Sequence, residues 1–145
     1  MFDRLLKSLL APTAEPLADA DARLALTALL VRLARSDNDY APTEIDTIER
    51  IVATRFALTG AAAAALRAEA EALEARAPDT VRFTRAIKEA VPLDERIAVV
   101  QSAWEVVLAD GGRSDEEDAL MRMVASLLGV GDRDSNVARL RAARG

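Results

Sequence analysis

The sequence contains no cysteine and no histidine among its 145 residues, and aromatic side chains make up only 3%. The first two absences exclude disulfide bonds, thiolate or imidazole catalysis, and zinc sites built from these side chains. Any metal site must use oxygen ligands, which suit hard cations such as Ca²⁺, Mg²⁺ or Mn²⁺. Because the serines have no histidine base and no glycine-rich phosphate loop is present, we expect a protein that is not an enzyme.

Long apolar runs are also missing, since none reaches the roughly 18 residues of a transmembrane helix. The apolar positions at the start are interrupted by Asp3, Arg4 and Lys7, which does not fit a secretory signal, so we expect a cytoplasmic protein. The segment Phe2–Leu10 is too short and too mixed in charge for more than weak membrane contact. A net charge of −5 and a pI near 4.8 argue against a nucleic-acid surface.

What the sequence does contain is 51% hydrophobic residues, mostly Ala and Leu, which favour helices over strands. We therefore predict an all-α, single-domain bundle of about seven helices. Residues 1–18 are predicted to form a short helix over Phe2–Leu10 and a linker, and residues 19–145 the helical domain. The apolar periodicity and cap signals of the domain predict helical segments over Asp19–Ser36, Pro42–Ala57, Thr59–Ala77, Asp79–Val91, Leu93–Ala109, Ser114–Leu128 and Asp132–Arg144.

The chain also carries an internal repeat. LARSDNDYAPTE aligns with VLADGGRSDEE so that Asp37 lies 73 positions before Asp110, and Glu44 lies 73 positions before Glu117. After a gap of one residue, RFAL aligns with LLGV. Each copy reads as a buried helix, an acidic loop and a second helix. This pattern predicts a pseudo-two-fold bundle in which the two acidic loops lie side by side at one end.

The two glutamates of the repeat have an ordinary explanation as helix caps. Ser114 and Glu117 have the spacing of a capping box, in which the glutamate returns to the amide of the cap residue. Glu44 has a weaker version, with Pro42 at the first helical position and no side-chain cap at Ala41. Taken alone, these two glutamates are therefore better explained as caps than as metal ligands.

The aspartates are harder to explain in this way. Asp37 and Asp110 each follow the C-terminal end of a helix, where the dipole disfavours an anion by ~0.3–1 kcal/mol. An Asx turn remains an alternative. An EF-hand is excluded because Pro42 and Ile48 replace its required Gly and Glu. The acidic residues of both loops together predict a divalent-cation site, with the ligands Asp37, Asp39, Glu44, Asp110 and Glu117.

Three stretches resemble the TerB-like family, which is related to tellurite resistance protein B. They are ARSDNDYAPTE, LLGVGDRD and VRFTRAIKEAVPLDERIAVVQSAWEVVLADG, and the resemblance covers roughly Leu24 to Asp134. It implies an all-α, pseudo-symmetric bundle and association with stress-response or membrane-linked complexes. It also implies a divalent-metal site at the acidic junctions, which carries over to Asp37, Glu44, Asp110 and Glu117.

Three functions remain open at this point. The first is a non-enzymatic binding or adaptor domain in which both loops hold one divalent cation. The alternative is a metal-free helical scaffold whose acidic end contacts a basic protein partner. The third, more distant, is a hydrolase that uses a metal-bound water. We expect protein partners and no nucleic acid, and the sequence leaves homodimerisation open.

Overall fold

The computed structural model describes residues 19–36, 40–77, 79–109 and 114–144, with side chains from Ala22 onwards. The predictions for residues 1–18 and for Asp37, Asp39 and Asp110 lie outside these ranges. Within them the chain forms seven α-helices and no strand, which confirms the all-α prediction. The helices are α1 (Asp19–Ala34), α2 (Pro42–Phe56), α3 (Gly60–Arg76), α4 (Val81–Ala90), α5 (Leu93–Val107), α6 (Asp115–Leu127) and α7 (Asp132–Ala143).

Most helix starts follow the local signals in the sequence. The Thr59 hydroxyl caps α3 by accepting a hydrogen bond from the Ala62 amide at 3.1 Å. The start of α4 differs from the prediction, because Thr80 and not Asp79 is the cap residue. Asp79 still contributes, since its Oδ1 accepts from the Arg82 amide at 3.2 Å. The seven helices end one or two residues earlier than predicted, which is the usual uncertainty at a helix terminus.

Helix α1 is the central element of the bundle. It packs against α2, α3, α4, α5 and α6. Between Leu24 and Ala34 every residue except Arg32 is buried. The one hydroxyl in this run belongs to Thr27, which donates to the Arg23 carbonyl at 2.7 Å and is thereby satisfied without leaving its own helix. The apolar run therefore forms a helix buried nearly all round, as its sequence predicts.

A second packing unit forms around α5, which packs against α7 along a stripe of small residues that includes Ala138 and Ala142. The indole nitrogen of Trp104 donates to the Ser135 hydroxyl at 3.2 Å across this contact. Phe83 of α4 is fully buried in the common core. One core thus joins all seven described helices.

The starting positions of the described helices have the spacing that the predicted internal repeat requires. Helix α2 begins at Pro42 and α6 begins 73 positions later at Asp115, while α3 begins at Gly60 and α7 begins 72 positions later at Asp132. The offset between the two copies thus falls from 73 to 72 positions, and it does so between the two helix starts, where the sequence alignment has its gap of one residue. This spacing agrees with a repeat in which α1 to α3 form one copy and α5 to α7 the other, with α4 between them, and the structural equivalence of the two sets stays a prediction.

Among the described residues, no single helix is long and apolar enough to cross a membrane. Helices α2 and α3 would be long and apolar enough only if they were counted together as one segment, and the chain bends by 115° where they join.

Candidate acidic site

Glu44 is the third residue of α2, and its side chain is fully buried. Its Oε1 accepts a hydrogen bond from the Ala41 amide at 3.0 Å. Alanine has no side-chain oxygen to return the bond, so only half of a capping box forms here. The predicted weak cap is therefore present, whereas the burial of its carboxylate was not predicted from the sequence.

Glu117 holds the same position in α6 and is 2% exposed. Its Oε1 accepts from the Ser114 amide and from the Ser114 hydroxyl, both at 3.1 Å. The same hydroxyl accepts from the Glu117 amide at 3.1 Å. The capping box predicted from the sequence is thus complete, and the capping interpretation of both glutamates is confirmed.

Capping alone does not require burial, because a capping glutamate works equally well on an exposed helix end. Removing a carboxylate from water costs free energy that must be offset by hydrogen bonds or nearby positive charge. At both glutamates the cap amide and the positive end of the helix dipole supply part of that offset. Beneath them, Ile48 and Met121 one turn further along are completely buried. The two carboxylates therefore sit at the edge of the core in equivalent places.

The other predicted ligands, Asp37, Asp39 and Asp110, lie outside the described residues. Among the residues that the structure does describe, no group of three or more Asp or Glu side chains could hold a metal ion. The structure thus places two of the five predicted ligands, and the convergence of all five stays a prediction.

The first acidic loop is anchored on both sides. On its N-terminal side, the Arg35 guanidinium bonds the Glu74 carboxylate at 2.7 Å and lies 5.0 Å above the Tyr40 ring. On its C-terminal side, the Tyr40 hydroxyl donates to Glu71 Oε2 at 2.7 Å. Because Glu71 and Glu74 both belong to α3, that helix holds the two ends of the loop in fixed positions.

This anchor extends into a larger network. Arg32 donates to Glu74 Oε2 and to the carbonyls of Glu74 and Ala77, each at 3.1 Å. Arg67 bonds Glu71 at 2.8 Å and Glu49 at 2.5 Å, and hydrogen bonding to Glu49 is the main reason that its pKa is raised. The network ties α1, α2 and α3 together beside the loop.

Sequence reasoning missed this network. Its only signal was a pair of arginines, Arg32 and Arg35, and a pair of glutamates, Glu71 and Glu74, each spaced three apart on a helix. That spacing places each pair on one helix face. It does not reveal that the two faces meet.

The residues before the second acidic loop contact the first copy of the repeat. A pocket of about 240 Å³ is lined by Thr47 of α2 and by Leu108 and Ala109, which directly precede position 110. Nearby, Arg50 pairs with Glu105 at 3.6 Å. Thr47 is less than one helical turn from Glu44. The approach to the second loop therefore lies beside the helix that carries the first buried glutamate.

Comparison with known proteins gives one result. The model of the family described as tellurite resistance protein TerB matches residues 23–140, most of the chain. No curated protein and no solved structure matches the sequence.

Proposed function

Since this chain belongs to the TerB family, we propose that it is a non-enzymatic binding or adaptor domain whose two acidic helix junctions hold one divalent cation. Oxygen ligands select a hard cation, Ca²⁺, Mg²⁺ or Mn²⁺. The bound cation joins the two halves of the bundle and fixes their relative position in a stress-response or membrane-linked complex. The proposed ligands are the carboxylates of Asp37, Asp39, Glu44, Asp110 and Glu117.

The observation that carries this proposal is the burial of Glu44 and Glu117 at equivalent positions of the repeat. Each stands in the first turn of a helix that directly follows an acidic loop. Each carboxylate is already oriented by a hydrogen bond from its cap residue. Metal-ligating carboxylates are commonly held by such additional hydrogen bonds, which fix their orientation before the ion arrives.

The contacts around the loops add support. The first loop is held at both ends by Arg35 and Tyr40, so its aspartates connect to a rigid support. Leu108 and Ala109 lie beside Thr47, which brings the start of the second loop towards α2. Both features favour two junctions at the same end of the bundle, as one shared cation requires.

The test is calorimetric titration of metal-stripped protein with Ca²⁺, Mg²⁺ and Mn²⁺. We expect saturable heat from the parent protein and none from the Asp37→Asn/Asp110→Asn double variant. The matched control is Asp46→Asn/Glu116→Gln, which removes two exposed acids from α2 and α6, the helices that carry Glu44 and Glu117, and should bind like the parent. Absence of heat in the parent, or unchanged binding by the first double variant, would overturn the cation site.

The alternative is a metal-free helical scaffold whose acidic end contacts a basic protein partner. It is favoured by the hydrogen bonds themselves, because capping accounts for Oε1 of both buried glutamates. Under this alternative the parent gives no heat with any of the three cations. The Asp37→Asn/Asp110→Asn variant is then as stable as the parent or more so, because it removes anions from helix C-terminal ends.

A further inference from the structure

A pocket of about 350 Å³ opens at the other end of the bundle from the acidic junctions. It lies between the start of α1, the end of α2, the end of α4 and the start of α5. Along α1, Arg23 is 13 residues from Ser36, which at 1.5 Å per residue is about 20 Å from the first acidic loop. The side chains that matter for the argument are Arg23, Leu26, Arg55, Phe56, Val91 and Glu95.

Two guanidinium groups line this pocket. Arg23 lies 5.0 Å above the Phe56 ring, a cation–π contact that holds its position without neutralising its charge. Arg55 is partly buried, and within the described residues its guanidinium group forms neither a hydrogen bond nor an ion pair. Burial lowers the pKa of Arg55, and the nearby Glu95 carboxylate opposes that effect. The Arg55 nitrogens are not among the buried atoms that lack a hydrogen-bond partner, so water reaches them, and an incoming anion would replace that water with charge-assisted hydrogen bonds.

The rest of the lining restricts what kind of anion fits. Val91 and Phe56 are half-buried, so they offer apolar surface next to the two cations, while Leu26 is buried. Glu95 is exposed and adds one negative charge, which leaves the pocket with a net charge of about one positive unit. A net charge of this size favours a monoanion over phosphate. The apolar side chains beside the two arginines favour a ligand that also has a hydrocarbon group. A carboxylate also matches the planar donor pair of a guanidinium.

The second copy of the repeat has no corresponding pair of arginines around a pocket among its described residues. Arg96 stands 73 positions after Arg23, and its Nη1 donates to the Leu128 carbonyl at 2.6 Å. Leu127 stands where the first copy has Arg55. An arginine at position 55 is therefore not required for the helix–loop–helix unit to fold. This suggests that the positive charge of Arg55 has a function other than packing.

We propose that this pocket binds a small organic monocarboxylate. Its carboxylate accepts hydrogen bonds from Arg55 and Arg23, and its hydrocarbon group packs against Val91 and Phe56. The site is independent of the cation site, since it shares no residue with it and lies at the opposite end of α1.

The experiment is NMR titration of the full ¹⁵N-labelled chain with hexanoate, hexanamide and inorganic phosphate. We expect hexanoate to produce saturable shifts at the Arg55 Nε–H and the Val91 amide. Hexanamide has the same shape without the charge, and phosphate has charge without the hydrocarbon, so neither should saturate these signals. Saturation by hexanamide would mean an apolar pocket only, and saturation by phosphate a general anion site; either result overturns the proposal.

Variants make the test specific. Arg55→Gln should weaken hexanoate binding at least about tenfold, the size of one charge-assisted hydrogen bond. Glu95→Gln should strengthen it, because the competing carboxylate is gone. Arg85→Gln, on the exposed face of α4, is the control and should bind like the parent. Unchanged binding by both the Arg55 and Glu95 variants would contradict the proposal even if the pocket takes up hexanoate.

Discussion

Ala57 and Gly129 occupy the same place in the two copies of the repeat, and both have a left-handed backbone, with φ of 53° and 73°. Each follows the end of its helix, α2 or α6. In each copy the next amide bonds a carbonyl five residues back, Leu58 to Ala53 at 2.9 Å and Val130 to Ala125 at 2.8 Å. This is the Schellman type of helix end, which normally places Gly at the left-handed position. The first copy uses an alanine there at a cost of about 1 kcal/mol.

Replacing that alanine should therefore stabilise the protein. Ala57 is exposed, so Ala57→Gly loses no packing while it relieves the left-handed strain. We expect a gain of about 0.5–1 kcal/mol in the free energy of unfolding, measured by urea denaturation. Gly129→Ala should do the reverse and cost more, because its new Cβ would also lie 3.0 Å from Nη1 of Arg96.

The matched control for these two variants is Ala68→Gly, an exposed position in the interior of α3. There glycine should destabilise by up to about 1 kcal/mol, since the backbone is helical. If Ala57→Gly destabilises by the same amount as Ala68→Gly, the left-handed conformation of Ala57 is not a source of strain.

The single tyrosine of the chain offers a direct test of the loop anchor. Burial raises the pKa of Tyr40 above its ordinary value of 10.0, and so does the hydrogen bond that its hydroxyl donates to the Glu71 carboxylate. In the folded protein we expect the tyrosinate absorbance near 295 nm to appear only well above pH 10. In concentrated urea it should appear near pH 10. Coincident titration curves in the folded and unfolded states would contradict the hydrogen bond to Glu71.

The same pKa difference predicts how stability depends on pH. A folded-state pKa that is raised means that Tyr40 stabilises the fold fully below pH 10 and loses this contribution as the pH rises from 10 towards the folded value. The Tyr40→Phe variant should be less stable than the parent at pH 8 by about 1–2 kcal/mol. The difference between them should shrink above pH 10. A difference that stays constant between pH 8 and pH 11 would mean that Tyr40 has the same pKa in the folded and unfolded states, which contradicts the raised folded-state pKa.

The sequence predicted the parts of this structure that depend on neighbouring residues. Thr59 and Ser114 were recognisable as caps because their partners lie three positions away. The contact between Arg32 and Glu74 could not be found in this way, since 42 positions separate the two residues and their meeting depends on how α1 and α3 cross. The pocket around Arg55 has the same origin, because it is formed by helix ends from three separate stretches of the sequence, at residues 22–26, 55–56 and 90–95. Capping by Glu44 was predictable, but its burial depends on the helices that pack over it.

The ion pair between Arg32 and Glu74 should contribute more to the free energy of unfolding than the more exposed pair between Arg50 and Glu105. Arg32 and Glu74 are only 17% and 13% exposed, whereas Arg50, which pairs with Glu105, is 63% exposed. Double-mutant cycles should give a coupling energy of about 1 kcal/mol for Arg32→Gln with Glu74→Gln. The cycle for Arg50→Gln with Glu105→Gln should give less than about 0.5 kcal/mol. If the two cycles gave the same coupling energy, burial of Arg32 and Glu74 within the network would not strengthen their interaction.

Glutamine substitution separates the two roles assigned to the buried glutamates. Glutamine accepts the same capping hydrogen bond as glutamate, so Glu117→Gln should keep the stability of metal-stripped protein within about 1 kcal/mol of the parent. It lacks the charge that a divalent cation requires, so cation affinity in the calorimetric titration should fall at least about tenfold. Glu116→Gln removes an exposed charge one residue away and should leave both quantities unchanged. If Glu117→Gln binds the cation as well as the parent does, Glu117 acts only as a cap. If it instead loses several kcal/mol without metal, the negative charge itself stabilises the fold.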